Sequence, residues 1–144
     1  MTAFADSSAL VKLYADEEGC EDVRALTHLV VAQIARVEVP AALWRKTRVG
    51  ELPPGPAAVL VAAFEADLFG TADEAARFAV VGLSPAVLDD AARLAGTHAL
   101  RAYDAVQLAS ARAAAAADPG LRRFAAFDPA LCRAAAAEGF TLVI

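Results

Sequence analysis

The sequence has few cysteines, and neither lies in a pattern that binds a metal or builds a disulfide framework. Cys20 and Cys132 are far apart and no C-x-x-C spacing occurs, which argues against thiolate metal sites and disulfide-rich folds. Such cysteine usage is typical of proteins kept in a reducing compartment. We therefore expect a cytoplasmic protein.

The sequence also lacks a long uncharged apolar run, and a membrane-spanning helix needs roughly eighteen such residues. The stretch 25–35 is bounded by Arg24 and Arg36, and the stretch 52–64 contains three prolines. The first residues have no basic cluster and include Asp6, unlike a secretory signal peptide. The sequence predicts neither membrane association nor an export signal.

Basic residues and histidines are scarce as well. The chain has 13 Lys and Arg against 18 Asp and Glu, a net charge of −5, which excludes non-specific adhesion to nucleic acid as a default function. His28 and His98 are the only histidines and lie seventy positions apart. Metal-free RNA cleavage by a histidine acid/base pair is therefore disfavoured.

The residues that are present predict one α/β domain over 1–144. Of the 144 residues 58% are hydrophobic, and short apolar runs alternate with helical patterns, which is typical of a parallel sheet with crossover helices. Strands are predicted at 2–5, 29–31, 78–81, 124–127 and 140–144. Helices are predicted at 7–15, 17–27, 35–49, 56–69, 72–77, 84–94, 101–117 and 128–138.

Four carboxylates interrupt these apolar segments: Asp6, Glu38, Asp104 and Asp128. Side chains that follow parallel strands meet at the carboxyl edge of the sheet, where ligands bind. Two carboxylates about 4 Å apart repel by roughly 4 kcal/mol at an effective dielectric near 20, so such a cluster must be protonated, solvated or neutralised by a cation. Mg²⁺ or Mn²⁺ is the natural neutraliser, and the site would then suit attack of metal-activated water on a phosphodiester.

Each acid also has a purely structural interpretation. Asp6 precedes two serines and Asp128 precedes Pro129, and both settings favour helix N-caps. Asp104 lies three residues after Arg101, a spacing that favours an ion pair on a helix. Capping and metal ligation are compatible, so these alternatives stay open at this point.

Glu38 lies early in its predicted helix, where the helix dipole favours an acid, but its neighbours are apolar. Val37, Val39 and Leu43 predict that this turn is largely buried, and a buried acid calls for a functional reason. Pro40 has no N–H to donate and predicts an irregular first turn.

Four segments of the chain resemble the PIN-domain ribonucleases of the VapC toxin type. They are FADSSALVKLY at 4–14, ARVEVPAALWR at 35–45, LRAYDAVQLASA at 100–111 and FDPAL at 127–131. Each segment contains one of the four acids, and together they extend over essentially the whole chain. The order and spacing of the acids carry the resemblance more than any single segment does.

The resemblance implies a three-layer α/β/α sandwich with a mainly parallel central sheet. It also implies divalent-metal-dependent cleavage of RNA by the toxin of a toxin–antitoxin pair, with a cognate antitoxin as partner. Asp6, Glu38 and Asp104 would be the principal metal-site acids, and Asp128 a fourth that is more variable. Many members have Thr or Ser two residues before that last acid, where this chain has Ala126 and so lacks a hydroxyl to orient Asp128.

A homodimer is expected on two grounds. The helices over 7–27 and 35–49 carry more apolar residues than one sheet face of so small a domain could cover, and the family resemblance implies the same assembly. The leading alternative to the nuclease is a catalytically inactive PIN-like module that binds protein or RNA.

Two other phosphate-handling classes fit less well. A receiver-type phosphoacceptor domain would have a lysine late in the chain, but Lys12 and Lys46 both lie in the first third. A haloacid-dehalogenase-like phosphatase would have a second acid two residues after Asp6, where this chain has Ser8.

The basic cluster Arg45, Lys46 and Arg48 ends the helix that carries Glu38. Cations at a helix C-terminus are favoured by the dipole, so a solvated face is the simple interpretation. A contact with phosphate or with the antitoxin is the functional one.

Overall fold

The protein alternates strands with helices, and a computed structural model describes residues 2–144. The strands are β1 (Thr2–Ala5), β2 (His28–Ala32), β3 (Ala79–Val81), β4 (Arg123–Ala125) and β5 (Thr141–Leu142). The helices are α1 (Ser7–Tyr14), α2 (Cys20–Arg24), α3 (Ala35–Arg48), α4 (Pro54–Phe69), α5 (Pro85–His98), α6 (Ala102–Ala117) and α7 (Pro129–Ala137).

The five strands form one sheet in the order β3-β2-β1-β4-β5, and all neighbours are parallel. Strand β1 forms the centre of the sheet. Strands β2 and β3 extend the sheet to one edge, and β4 and β5 extend it to the other. The order therefore reverses between β1 and β4, and ligands of open parallel sheets bind at such a switch point. The predicted α/β fold with a central parallel sheet is confirmed.

The sheet separates two apolar cores because side chains alternate between the faces of a strand. Ala3 and Ala5 face the layer of α1 to α4. Phe4, between them, faces α5 to α7 and stacks on Phe124 with 5.4 Å between ring centroids. The predicted three-layer sandwich follows from this alternation. Within residues 2–144 no helix is both long and apolar enough to cross a membrane.

Side-chain oxygens start three of the helices. Asp6, Ser84 and Asp128 each accept a hydrogen bond from the backbone N–H three residues later, at 2.9, 3.2 and 2.9 Å. These are N-caps, as the sequence predicts for the two acids. The two acids accept this bond with Oδ1 only, so the cap does not use their second carboxylate oxygens.

The helix predicted over 17–27 is wrong in extent, because α2 covers only Cys20–Arg24. Gly19 precedes it with φ +84°, a conformation that ends any helical continuation from residue 17. A Cβ at Gly19 would lie 2.6 Å from Cε1 of Phe127. This glycine therefore permits close packing against the segment that leads to Asp128.

The helix predicted over 72–77 is also wrong, because this segment is irregular. The Thr71 hydroxyl accepts hydrogen bonds from the backbone N–H groups of Asp73 and Glu74, at 3.3 and 3.1 Å. A side chain that binds nearby backbone in this way competes with helix formation.

The strand predicted over 78–81 begins at Ala79 and is not buried throughout. Phe78 is buried, but Ala79 and Val80 are exposed, because β3 forms an edge of the sheet. The remaining elements occur where predicted, with ends shifted by at most four residues.

Candidate functional site

The switch point brings the four predicted acids to one cavity. Asp6 directly follows β1, Asp128 opens α7 after β4, and Glu38 and Asp104 lie in the first turns of α3 and α6. All four line an open cavity of about 640 Å³. The carboxyl edge of the sheet thus collects residues that are far apart in sequence.

Asp6 is the most buried of these acids, with 3% of its surface exposed. Its Oδ1 accepts hydrogen bonds from the Ala9 N–H at 2.9 Å and the Ser8 hydroxyl at 2.7 Å. The pKa of Asp6 is raised to about 7. Burial is the main cause, the nearby charges of Glu38 and Asp104 add to the rise, and the hydrogen bonds from Ser8 and the Ala9 N–H oppose it. A carboxylate in this position gains from a cation that offsets its lost hydration.

Glu38 is held in place by two polar side chains that the sequence analysis missed. Its Oε1 accepts hydrogen bonds from the Ser7 hydroxyl at 3.0 Å and from Nε2 of Gln107 at 2.8 Å. Gln107 is 1% exposed and lies three residues after Asp104, on the same face of α6. In the sequence, the signal for Gln107 was a glutamine three residues after Asp104 in an otherwise apolar helix.

The start of α3 is irregular, as Pro40 predicts. The N–H groups of Arg36 and Val37 donate to carbonyls three residues earlier, both at 3.0 Å, which is 3₁₀-like geometry. The predicted burial around Glu38 is wrong for Val37, which is 66% exposed, whereas Val39 is fully buried. Glu38 therefore lies at the boundary between core and cavity and is half-buried.

Arg101 bridges the other two acids. Its guanidinium lies 3.1 Å from Oδ2 of Asp104 and 3.4 Å from Oδ2 of Asp128. The ion pair with Asp104 matches the structural interpretation given above, but the contact with Asp128 was not predicted. The Arg101 side chain is 80% exposed, so these pairs stabilise the fold weakly and can open at little cost.

The donor set fits a divalent cation, although the side chains need to rearrange. Among residues 2–144 no three Asp, Glu, His or Cys side chains are arranged as they stand to hold a metal ion, and Arg101 pairs with Asp104 and Asp128. Carboxylate oxygens are nevertheless the ligands that Mg²⁺ and Mn²⁺ prefer. Oε1 of the buried Gln107, which lines the cavity, has no hydrogen-bond partner in the described chain. A hydrated cation would satisfy that oxygen as well as Asp6.

Ser8 connects Asp6 to the segment that carries Asp128. Its hydroxyl accepts a hydrogen bond from the Phe127 N–H at 3.0 Å and donates to Asp6 at 2.7 Å. Ala126 is buried in the opposite core. Residue 126 has no hydroxyl, but Ser8 of α1 places one beside the backbone that leads to Asp128. This hydroxyl orients Asp6.

The two histidines lie away from this cavity. Neither His28 nor His98 lines it, and His98 faces Glu138 with 3.7 Å between Nε2 and Oε2. Cys20 and Cys132 are free thiols, and burial raises the pKa of the Cys132 thiol, which lowers its reactivity.

Together, the fold and the cavity define an α/β protein with an acidic site at the carboxyl edge of a parallel sheet. A sequence model of the PIN domain family matches residues 3–137, and the chain belongs to this family. Its members are generally nucleases that use divalent metals.

The fold is similar to that of two solved structures. PAE2754 from Pyrobaculum aerophilum has a TM-score of 0.63 and 24% identity, over 99% of this chain and 84% of that one. A chain of a toxin–antitoxin complex from Klebsiella pneumoniae has a TM-score of 0.58 and 14% identity, over 88% of this chain and 86% of that one. A comparison with curated protein sequences gives no match.

Proposed function

We propose that this chain is a divalent-metal-dependent endoribonuclease and the toxin of a toxin–antitoxin pair. The observation that carries the proposal is the convergence of Asp6, Glu38, Asp104 and Asp128 on one open cavity at the switch point of the sheet. Membership of the PIN domain family supports nuclease chemistry.

The four acids would hold the cation, with Asp6, Glu38 and Asp104 as the main ligands. A bound Mg²⁺ or Mn²⁺ ion would supply Lewis-acid activation of water and neutralise charge developing on the phosphodiester. The chain positions two of these ligands: the Ala9 N–H and Ser8 orient Asp6, and Gln107 orients Glu38. Such support reduces the reorganisation that ligand binding requires.

A catalytically inactive binding module is the second candidate, and one observation favours it. Arg101 already supplies a positive charge to Asp104 and Asp128, so part of the acid cluster is neutralised without a metal. A module of this kind would bind RNA or protein but would not cleave RNA.

A cleavage assay separates the two candidates. Purified protein is incubated with end-labelled total cellular RNA in MnCl₂ or in EDTA, and with a single-stranded RNA and DNA of matched sequence. We expect RNA fragments with Mn²⁺ and none with EDTA. RNA that stays intact under both conditions would support the inactive module, and equal cleavage of DNA would contradict the assignment to RNA.

An antitoxin partner is part of the same proposal. It is supported by the similarity of the fold to a chain of the toxin–antitoxin complex from Klebsiella pneumoniae. We also propose that 1–144 is a single PIN-like domain, because the family match extends over most of the chain. The free thiols of Cys20 and Cys132 support a cytoplasmic location.

We further propose a homodimer formed through α3 and α4. The apolar side chains of α1 are buried within the chain, contrary to the expectation above, but α3 exposes Val37 and Trp44, and α4 exposes Val59 and Phe69. Val37 and Trp44 are seven residues apart and so share one face of the helix. Large exposed apolar side chains on two neighbouring helices support an interaction site here.

Light scattering after size-exclusion chromatography tests the dimer. At tens of micromolar protein we expect the mass of a dimer for the wild type and of a monomer for Val37→Lys, because a buried unpaired charge opposes association. Leu88→Lys is the matched control, since Leu88 is also exposed but lies on α5. A wild type that is monomeric at every concentration would contradict the proposal.

A further inference from the structure

Arg45 differs from the other basic residues around the acidic cavity because it has no acidic partner. Lys12 and Lys46 pair with Glu17 at 3.0 and 2.6 Å, and Arg101 pairs with two of the site acids. In the described part of the chain, no carboxylate lies within ion-pair distance of the Arg45 guanidinium. Its charge is free to bind an anion from outside.

The position of Arg45 places that charge beside the proposed reaction site. Arg45 follows Glu38 by seven residues on α3, so it lies on the same face about 10 Å further along the axis. It lines the cavity of the four acids together with Phe127. That spacing suits a contact with a nucleotide next to the one bound at the acids.

A second cavity continues the first beyond Arg45. It measures about 240 Å³, and its lining includes Lys12 and Lys46 together with their acidic partners Glu17 and Glu51. The two cavities share Ser8, Val11, Ala42, Arg45 and Phe127 as lining residues. They therefore form one groove between α1 and α3, with the acids at one end and Arg45 at the junction.

We infer that Arg45 binds a backbone phosphate of the RNA next to the scissile bond, and that the strand leaves the acidic site along this groove. The inference rests on the proposed nuclease function. A guanidinium binds a phosphate through two parallel hydrogen bonds, and a chain of net charge −5 needs such a local contact to hold a polyanion against its own field. RNA is the expected occupant and not a protein segment, because the groove starts at the acids between which the phosphodiester must lie.

The test measures RNA binding in an Asp6→Asn background. We expect too little cleavage by this variant to degrade the RNA during the measurement. Fluorescence anisotropy with a mixed-sequence single-stranded RNA in MnCl₂ compares added Arg45→Ala, Arg45→Lys and Arg48→Ala substitutions. Arg48 is the matched control, because it is an exposed arginine on the same helix that lines neither cavity. All variants should keep the melting temperature of the Asp6→Asn parent.

We expect Arg45→Ala to weaken RNA binding by about 5- to 30-fold and to lower the salt slope of the binding constant by about one. Arg45→Lys should recover part of the affinity, and Arg48→Ala should change it by less than about twofold. In the otherwise wild-type protein, Arg45→Ala should raise KM more than it lowers kcat, as loss of uniform binding does.

Equal RNA affinity and equal KM for the Arg45→Ala and Arg48→Ala proteins would overturn the assignment of Arg45 to a phosphate. A protein partner would then be the remaining candidate for this contact. In that case Mn²⁺-dependent cleavage by the wild type would still stand. A wild type that cleaves no RNA, with an Asp6→Asn protein that binds none, would overturn the nuclease proposal itself.

Discussion

RNA cleavage should fall by at least about 100-fold in Asp6→Asn and in Asp104→Asn, while both proteins stay folded. Each substitution removes one charged oxygen ligand and nearly preserves side-chain volume. A 100-fold loss corresponds to about 3 kcal/mol of transition-state stabilisation, which is within the several kcal/mol that a well-held metal ion supplies. The measurement is the initial rate of cleavage of a labelled RNA in saturating MnCl₂.

The structure explains why the fold should survive these changes. Asn caps helices about as well as Asp, so residue 6 can still accept hydrogen bonds from the Ala9 N–H and Ser8. Asp104 loses only an exposed ion pair with Arg101. Asp89→Asn is the control, because Asp89 is an exposed acid on α5, away from the cavity. A wild-type rate in either site variant, with the EDTA reactions blank, would show that the acid cluster does not hold the catalytic metal.

The sheet was predictable because its central strands carry a strong local signal. Short apolar runs alternate with helical patterns along the chain, and Asp6 and Asp128 mark the starts of α1 and α7. The helix predictions over 17–27 and 72–77 were wrong because one glycine or one side chain determines the backbone conformation there. Thr71 binds its own loop and Gly19 adopts a positive φ, and neither effect gives a hydrophobic pattern.

The four acids were predictable as a set because each one interrupts an apolar segment. The sequence could not show how they are held. Gln107 and Ser7 contact Glu38 across 69 and 31 residues of chain, and Arg101 reaches Asp128 across 27. These contacts depend on how α1, α3, α6 and α7 pack at the sheet edge. Local periodicity carries no information about that packing.

Asp6→Asn should make the metal-free protein more stable at pH 8, although it removes activity. The folded-state pKa of Asp6 is about 7, against about 3.8 for an aspartate in the unfolded chain. The folded state therefore binds this proton more tightly than the unfolded chain does, and the stability linked to it is full below about pH 4 and is lost as pH rises through 7. Three pKa units correspond to about 4 kcal/mol, which for a domain of this size is on the order of 10 °C in melting temperature.

The measurement is thermal unfolding of the wild type and of Asp6→Asn between pH 5 and 8.5, first in EDTA and then in MnCl₂. In EDTA the advantage of the variant should grow with pH and level off above pH 7. Asp128→Asn serves as control. It also changes an N-cap in the same cavity, but 31% of the Asp128 side chain is exposed, so the free-energy cost of burying its charge is smaller.

Added Mn²⁺ at 100 times its dissociation constant should stabilise the wild type by about 2.7 kcal/mol. It should stabilise the Asp6→Asn protein by less, because the cation replaces the hydration that Asp6 lost on burial. A difference between the two proteins that does not change with pH would mean that Asp6 is ionised throughout and that its burial is compensated by the chain itself.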